Sequence, residues 1–184
     1  MKGAAESALE DALTRCTQGD PSAFGEVVRE HQSMVYSLAL HFLRDPGVAE
    51  ELAQEVFLEL YRSLAGIKSA AHLRFWLRKV ACHRAIDYAR RRGTDGALSL
   101  DDIPEPAAVA PAADPLLEER LWKLVRSLPE KWRMALILRY QEEMSVQEIA
   151  ETMEMPVNTV KSSLERALAA LREKLARSAG GVLA

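Results

Sequence analysis

Between Gly93 and Pro115 the chain reads GTDGALSLDDIPEPAAVAPAADP, rich in Ala, Pro and Asp and without any sustained apolar period. Such a stretch cannot bury a hydrophobic face, and its prolines only partly stiffen what is otherwise an extended, flexible connector. In a chain of 184 residues it leaves two pieces, each with room for one small core. The downstream piece, of about 65 residues, lies near the lower size limit for a lone domain. Neither flank shows Val/Ile/Thr alternation punctuated by hairpin turns, and no repeat recurs at a fixed period. Apolar residues recur instead at three- and four-residue spacing. The fold class that follows is all-α, with two small helical domains joined by a flexible linker. The divisions fall at 1–93, 94–115 for the linker, and 116–179.

In the upstream piece a helix is expected near Ala8–Thr17. A second starts at Gly19-Asp20-Pro21, with the stripe Phe24, Val27, Val28, Met34, Val35, Leu38 and Phe42. Asp45-Pro46 opens a third, with Ala49, Leu52, Ala53, Val56, Phe57, Leu60 and Leu64 facing inward. A looser stretch, Gly66–His72, precedes a basic helix over about Leu73–Arg92. Downstream, one helix spans roughly Leu116–Leu128 and Pro129 opens the next, through about Tyr140. The tail, Gly180–Ala184, is expected to fray.

The segment Ser145–Leu171 is the most telling of the downstream piece. Ser145 and Glu148 have capping-box spacing, so a helix starts there, with Val146, Ile149, Ala150 and Met153 on one face. Pro156 forces a new start. Val157, Val160, Leu164, Leu168, Leu171 and Leu175 then form a second stripe, leaving Asn158, Thr159, Lys161, Ser162, Ser163 and Arg166 on the opposite face. Two short helices with a tight connector, the second polar and basic at its start, suit insertion into a DNA major groove. An ordinary helical hairpin with a solvated face would read the same way locally.

A formal net charge of −3 looks wrong for a nucleic-acid binder until it is divided along the chain. Residues 45–59 carry five acids and no base. Residues 67–93 carry eight cations against Asp87 alone, a net +7. Residues 94–119 hold seven acids and no base, and 157–177 return to +3. Alternating blocks imply more than one kind of partner surface. On the third helix the polar face centres on Glu51, Glu55 and Arg62 yet has Leu58 in its middle, an apolar knob ringed by carboxylates. A lone exposed Leu is commonplace, but this pattern also suits a protein docking face built from Gln54, Glu55 and Leu58. In the basic helix Phe75, Trp76 and Tyr88 interleave with the cations, as in surfaces that track phosphates and stack on unpaired bases. The spacing of Trp76 with Leu73, Leu77 and Val80 equally suits burial.

Other classes find little support. No apolar run approaches the ~20 residues of a membrane span, and MKGAAESALED lacks a secretory layout. Two cysteines, Cys16 and Cys82, lie far apart, which suits a reducing cytoplasm and simple burial. The four histidines show no ligand spacing, and there is no nucleophile triad, P-loop or G-x-G-x-x-G turn. No catalytic residue, metal or cofactor is expected.

Taken in order, three segments resemble a bacterial sigma-70 family factor of the compact extracytoplasmic-function (ECF) type. Asp45–Leu64 is similar to the region 2 helix that docks on the RNA polymerase clamp. Leu73–Arg92 is similar to the adjoining part that opens and reads the −10 element. Leu128–Leu175 is similar to region 4, whose helix-turn-helix reads the −35 element. The match covers about two-thirds of the chain. It lacks the extra N-terminal and middle regions of housekeeping members.

The resemblance implies a sigma factor that directs core RNA polymerase to promoter DNA and assists melting, without chemistry of its own. It implies Asp45, Glu51, Gln54, Glu55 and Leu58 as the polymerase face. Lys68, His72, Arg74, Trp76, Arg78, Lys79, His83, Arg84, Asp87, Arg90, Arg91 and Arg92 would hold the melted −10 strand, helped by the loop Gly66–His72. Asn158, Thr159, Lys161, Ser162, Ser163 and Arg166 would read the −35 duplex. An anti-sigma factor is the further partner, the acidic linker would follow the RNA-exit path, and the setting would be cytoplasmic. Four positions depart from the family pattern: His83 for Asn, Glu154 for Gly, Pro156 for a capping Ser, and Ser163 for Arg. His83 alters a hydrogen-bonding position near the melted strand, and Ser163 in place of Arg implies a weaker or altered −35 preference. A stand-alone helix-turn-helix regulator is the main alternative, although it would need neither the acidic nor the basic helix. A homologue acting only through protein contacts is the other.

Overall fold

The computed structural model describes residues 2–94 and 115–180, with side chains over 6–92 and 119–177. Most of the expected linker (95–114) and the last four residues of the tail lie outside the described residues. Those that are described form eight α-helices and one short 3-10 turn, with no strand among them. Contacts divide the chain into two compact units, Met1–Ala85 and Ile86–Ala184. No described helix is long and apolar enough to cross a membrane.

The first unit begins with α1 (Lys2–Thr17), which buries Leu9, Ala12, Leu13 and Cys16. Gly19, at φ 88, makes the turn that an L side chain would resist. Two Asp-Pro pairs then set the next two helices. Asp20 caps α2 (Pro21–Leu43) by accepting from the Ser22 N–H, and Asp45 caps α3 (Pro46–Ser63) by accepting from Val48. In both, proline fills the first helical position, where no N–H is needed. The guanidinium of Arg15 ties α1 to this start, reaching Asp11 at 3.1 Å, Asp20 at 3.2 Å and Glu26 at 2.6 Å.

On α3 the side chains of Ala49, Leu52, Ala53, Val56, Phe57 and Leu60 are buried. Each large one contributes roughly 1.5–3 kcal/mol on leaving water. Rolling the helix to hide Leu58 would forfeit several such terms to gain one, so Leu58 stays out. A 3-10 turn (Leu64–Gly66) leads to α4 (Ala70–Thr94). The helix thus starts three residues before the sequence expectation, because Ser69 caps it: its Oγ accepts from the His72 N–H at 3.1 Å. Leu73, Leu77, Ala81, Cys82 and Ala85 form its buried face. Burial pushes the Cys82 thiol up to about 12 and raises that of Cys16, which disfavours a reactive thiolate at either position.

His31, on α2, is 4% exposed, and its Nδ1 lies 3.1 Å from the Val27 carbonyl oxygen. Burial lowers its pKa, the Val27 carbonyl and then Glu30 oppose that, and nearby Arg74 and Arg78 reinforce it. Burial, then Arg44, lowers His41 likewise. The unfolded chain therefore binds more protons than the folded one below about pH 6.5, and stability falls as pH drops through that window. The melting temperature should decline from pH 7.5 to 5.5, and His31→Gln should flatten the slope. A flat or rising profile in the parent protein would contradict this.

In the second unit α5 (Pro115–Arg126) and α6 (Glu130–Tyr140) precede the pair α7 (Val146–Thr152) and α8 (Val157–Gly180). A cluster of Leu128, Leu136, Ala167 and Leu171, with Leu124, Trp132, Leu164 and Leu168 packed on it, fixes α8. Leu175, expected to continue the stripe, is 40% exposed, because that cluster ends one turn earlier at Leu171. The capping box is complete: Ser145 Oγ accepts from the Glu148 N–H at 3.2 Å, and Glu148 Oε2 from the Ser145 N–H at 2.8 Å.

Glu154 adopts φ 51. It ends α7 in a Schellman arrangement, with the Met155 N–H on the Ala150 carbonyl at 2.9 Å and the Glu154 N–H on Glu151 at 3.3 Å. A left-handed Glu costs about 1 kcal/mol relative to Gly. Glu154→Gly is accordingly expected to raise the melting temperature of the second unit by about 4–8 °C. A decrease would show that the Glu side chain matters more than its backbone.

Candidate polymerase and nucleic-acid interfaces

Three surfaces carry the sequence-predicted residues. The first is the outer stripe of α3, where Glu51, Gln54, Glu55, Leu58, Tyr61 and Arg62 are all exposed. Leu58 is 58% exposed and Tyr61 59%, the latter packed edge-on against Phe24 with centroids 5.1 Å apart. Tyr61 is absent from the residues expected on this face, although it follows Leu58 by three residues and so shares its side of the helix. Asp45 stands apart from this stripe, half-buried, with a carboxylate oxygen occupied in capping Val48 at 3.1 Å.

The second surface is α4 with its connector. Lys68 is exposed, and its N–H donates to His72 Nδ1 at 3.2 Å. Arg74 pairs with Glu6 of α1 at 2.8 Å. Trp76, Arg78, Lys79 and His83 are partly buried, so the ring of Trp76 is neither core nor freely displayed. Arg84 is engaged with α3: its Nε donates to Glu59 Oε2 at 2.9 Å, and its two terminal nitrogens reach Glu55 and Glu59. Towards the helix end Asp87 pairs with Arg90 at 3.1 Å, and the Arg92 guanidinium lies 5.7 Å from the Tyr88 ring centroid. Arg90 and Arg91 are exposed.

The third surface is the first half of α8. Pro156 hands over its carbonyl to the N–H groups of Thr159 (2.9 Å) and Val160 (3.1 Å), which starts the helix without a hydroxyl cap. Asn158, Thr159, Lys161 and Arg166 are exposed, and Ser162 is partly so, with its hydroxyl on the Thr159 carbonyl at 3.0 Å. Ser163 departs from expectation. It is 5% exposed and lies in the inward stripe with Val160, Ala167 and Leu171. Three residues after Val160 and four before Ala167, position 163 falls on the buried face despite its hydroxyl. Its hydroxyl is therefore not displayed with the exposed polar residues it was expected to accompany.

Known proteins carry the same parts in the same order. The family model described as Sigma-70 region 2 matches residues 27–94, and Sigma-70, region 4 matches residues 118–171. The ECF RNA polymerase sigma factor SigW of Bacillus subtilis is 28% identical over 187 residues, covering 92% of this chain and 98% of that protein. The ECF RNA polymerase sigma-E factor of Escherichia coli K12 is 30% identical over 176 residues, covering 89% and 92%. Among solved structures, the sigma factor RpoE of Bartonella quintana, in complex with the anti-sigma factor NepR, superposes with a TM-score of 0.65. It is 22% identical, covers 83% of this chain and 96% of that one, and bears on the fold alone. Two helical units, a half-apolar acidic stripe, a cationic helix and a capped helix-turn-helix are thus the parts of a transcription initiation factor, and the chain belongs to the ECF subfamily of sigma-70 RNA polymerase sigma factors.

Proposed function

We propose a division of labour among the three surfaces. The α3 stripe Glu51, Gln54, Glu55 and Leu58, extended by Tyr61, docks on core polymerase. The connector 67–69 and α4 hold the melted −10 strand through Lys68, His72, Arg74, Trp76, Arg78, Lys79, His83 and the Arg90–Arg92 run, with Asp87 orienting Arg90. The first half of α8 reads the −35 duplex through Asn158, Thr159, Lys161, Ser162 and Arg166. Asp45 serves this scheme as a helix cap, and Arg84 as a strut to Glu55 and Glu59. The observation that carries the reading is the α3 stripe: an exposed Leu and Tyr beside three polar side chains, opposite a packed face. Apolar anchors inside a polar rim are what a protein interface requires.

The boundaries that fit this scheme are 1–93 for the polymerase and −10 module and 116–179 for the −35 module. The compact-unit division at Ala85 falls inside the continuous helix α4, and the region 2 match runs on to 94. The polymerase performs the phosphoryl transfer, so this chain needs no catalytic residue. It works in the cytoplasm, where bacterial promoters are, and is held by an anti-sigma factor until released, as the related RpoE is found with NepR. A gel-shift on a labelled promoter separates this from a stand-alone regulator. Specific retention should need both the protein and core polymerase; retention by the protein alone at comparable concentration would favour the regulator.

A further inference from the structure

α1 lies outside the residues matched to region 2, yet it reaches the segment that opens the −10 helix. The connector is largely self-satisfied. The Ile67 N–H donates to the Leu64 carbonyl at 3.0 Å, and the Lys68 N–H to His72 Nδ1 at 3.2 Å. The Ser69 hydroxyl takes the His72 N–H, and its carbonyl takes the Leu73 N–H at 2.9 Å. The Ala70 N–H is a first-turn donor with no partner inside its own helix, on a residue that is 0% exposed. Its acceptor is Glu10 Oε1 at 2.7 Å, from a residue 60 positions earlier. A carboxylate there also faces the positive end of the helix dipole.

Glu10 is an exposed residue, placed for this role by the rest of α1. Leu9, Leu13 and Cys16 anchor α1 in the core, while Glu6, four residues back on the same face, pairs with Arg74 one turn into α4. We propose that Glu10 is a positioning residue for −10 recognition: by fixing the Ala70 N–H it sets where the connector 67–69 presents itself to the melted strand. This rests on the reading that the connector and α4 hold that strand. Glu10 itself touches no DNA.

The test uses the full chain with core polymerase, transcribing a promoter library randomised across the −10 element and read by sequencing the RNA. Glu10→Ala should flatten base preference at one or two −10 positions by about tenfold, while core affinity and −35 preference stay within about twofold of the parent. Glu10→Gln, which presents an uncharged oxygen to the same N–H, should recover most of the preference. Recovery with unchanged core binding is what a general loss of packing would not give. A uniform fall at every promoter, shared by both variants, would overturn the proposal. A double variant Ile67→Ala/Lys68→Ala supplies the second arm. If it shifts −10 preference and Glu10→Ala does not, the positioning role alone fails; if neither shifts it, the strand-holding reading fails too.

Discussion

Leu58→Glu is expected to weaken binding to core RNA polymerase by about 30-fold or more, while leaving the fold intact. Leu58 is 58% exposed, so its own contribution to stability is small. In a complex it would be the apolar centre of the α3 stripe, and such anchors typically cost about 2 kcal/mol or more when lost. Glu adds a third carboxylate beside Glu51 and Glu55, so it also repels any acidic rim on the partner. Gln32→Glu, a change at another exposed position, on α2, should leave affinity unchanged. Titration of labelled core polymerase, with circular dichroism melts alongside, measures both. Equal affinities for Leu58→Glu and Gln32→Glu would remove Leu58 from the interface.

The second large effect is expected at α8. Lys161 and Arg166 are exposed on the side opposite Val160, Ala167 and Leu171. Replacing either with Ala should reduce the affinity of the holoenzyme for a −35-dependent promoter by roughly 5- to 150-fold if it contacts a base edge. If it contacts phosphate, the loss should be uniform across sequences and the slope of log K against log salt should become shallower by about 0.9. The salt series thereby sorts the two residues into positioning and reading roles. Ser163→Ala serves as the contrasting variant, since a side chain in the buried stripe should alter neither slope nor preference. A salt slope changed by Ser163→Ala but not by the cations would refute this assignment of faces.

The features legible in the sequence were those made by neighbouring residues. Asp20-Pro21 and Asp45-Pro46 begin helices because cap and proline act within four residues. Ser145 and Glu148 form the capping box for the same reason. The cost at Glu154 was visible as a side chain where the connector calls for Gly, and its φ of 51 agrees. Ser163 misled because periodicity assigns polar residues outward, whereas its place between Val160 and Ala167 turns it in. Arg84 read as one more cation of a basic helix; its pairing with Glu55 and Glu59 spans 29 and 25 residues and depends on how α3 and α4 pack. The early start of α4 had a local signal in Ser69, whereas the Glu10 carboxylate that satisfies one of its first N–H groups was hidden likewise. Local chemistry sets the elements, and tertiary packing decides which of their charges remain available.

This chain gives core RNA polymerase a promoter address. Run-off transcription from a randomised promoter library with core polymerase, in the presence and absence of the protein, measures that role. Discrete transcripts are expected only when both are present, from templates sharing two separated sequence elements. No protein-dependent initiation from any template, with the protein folded and bound to polymerase, would contradict it.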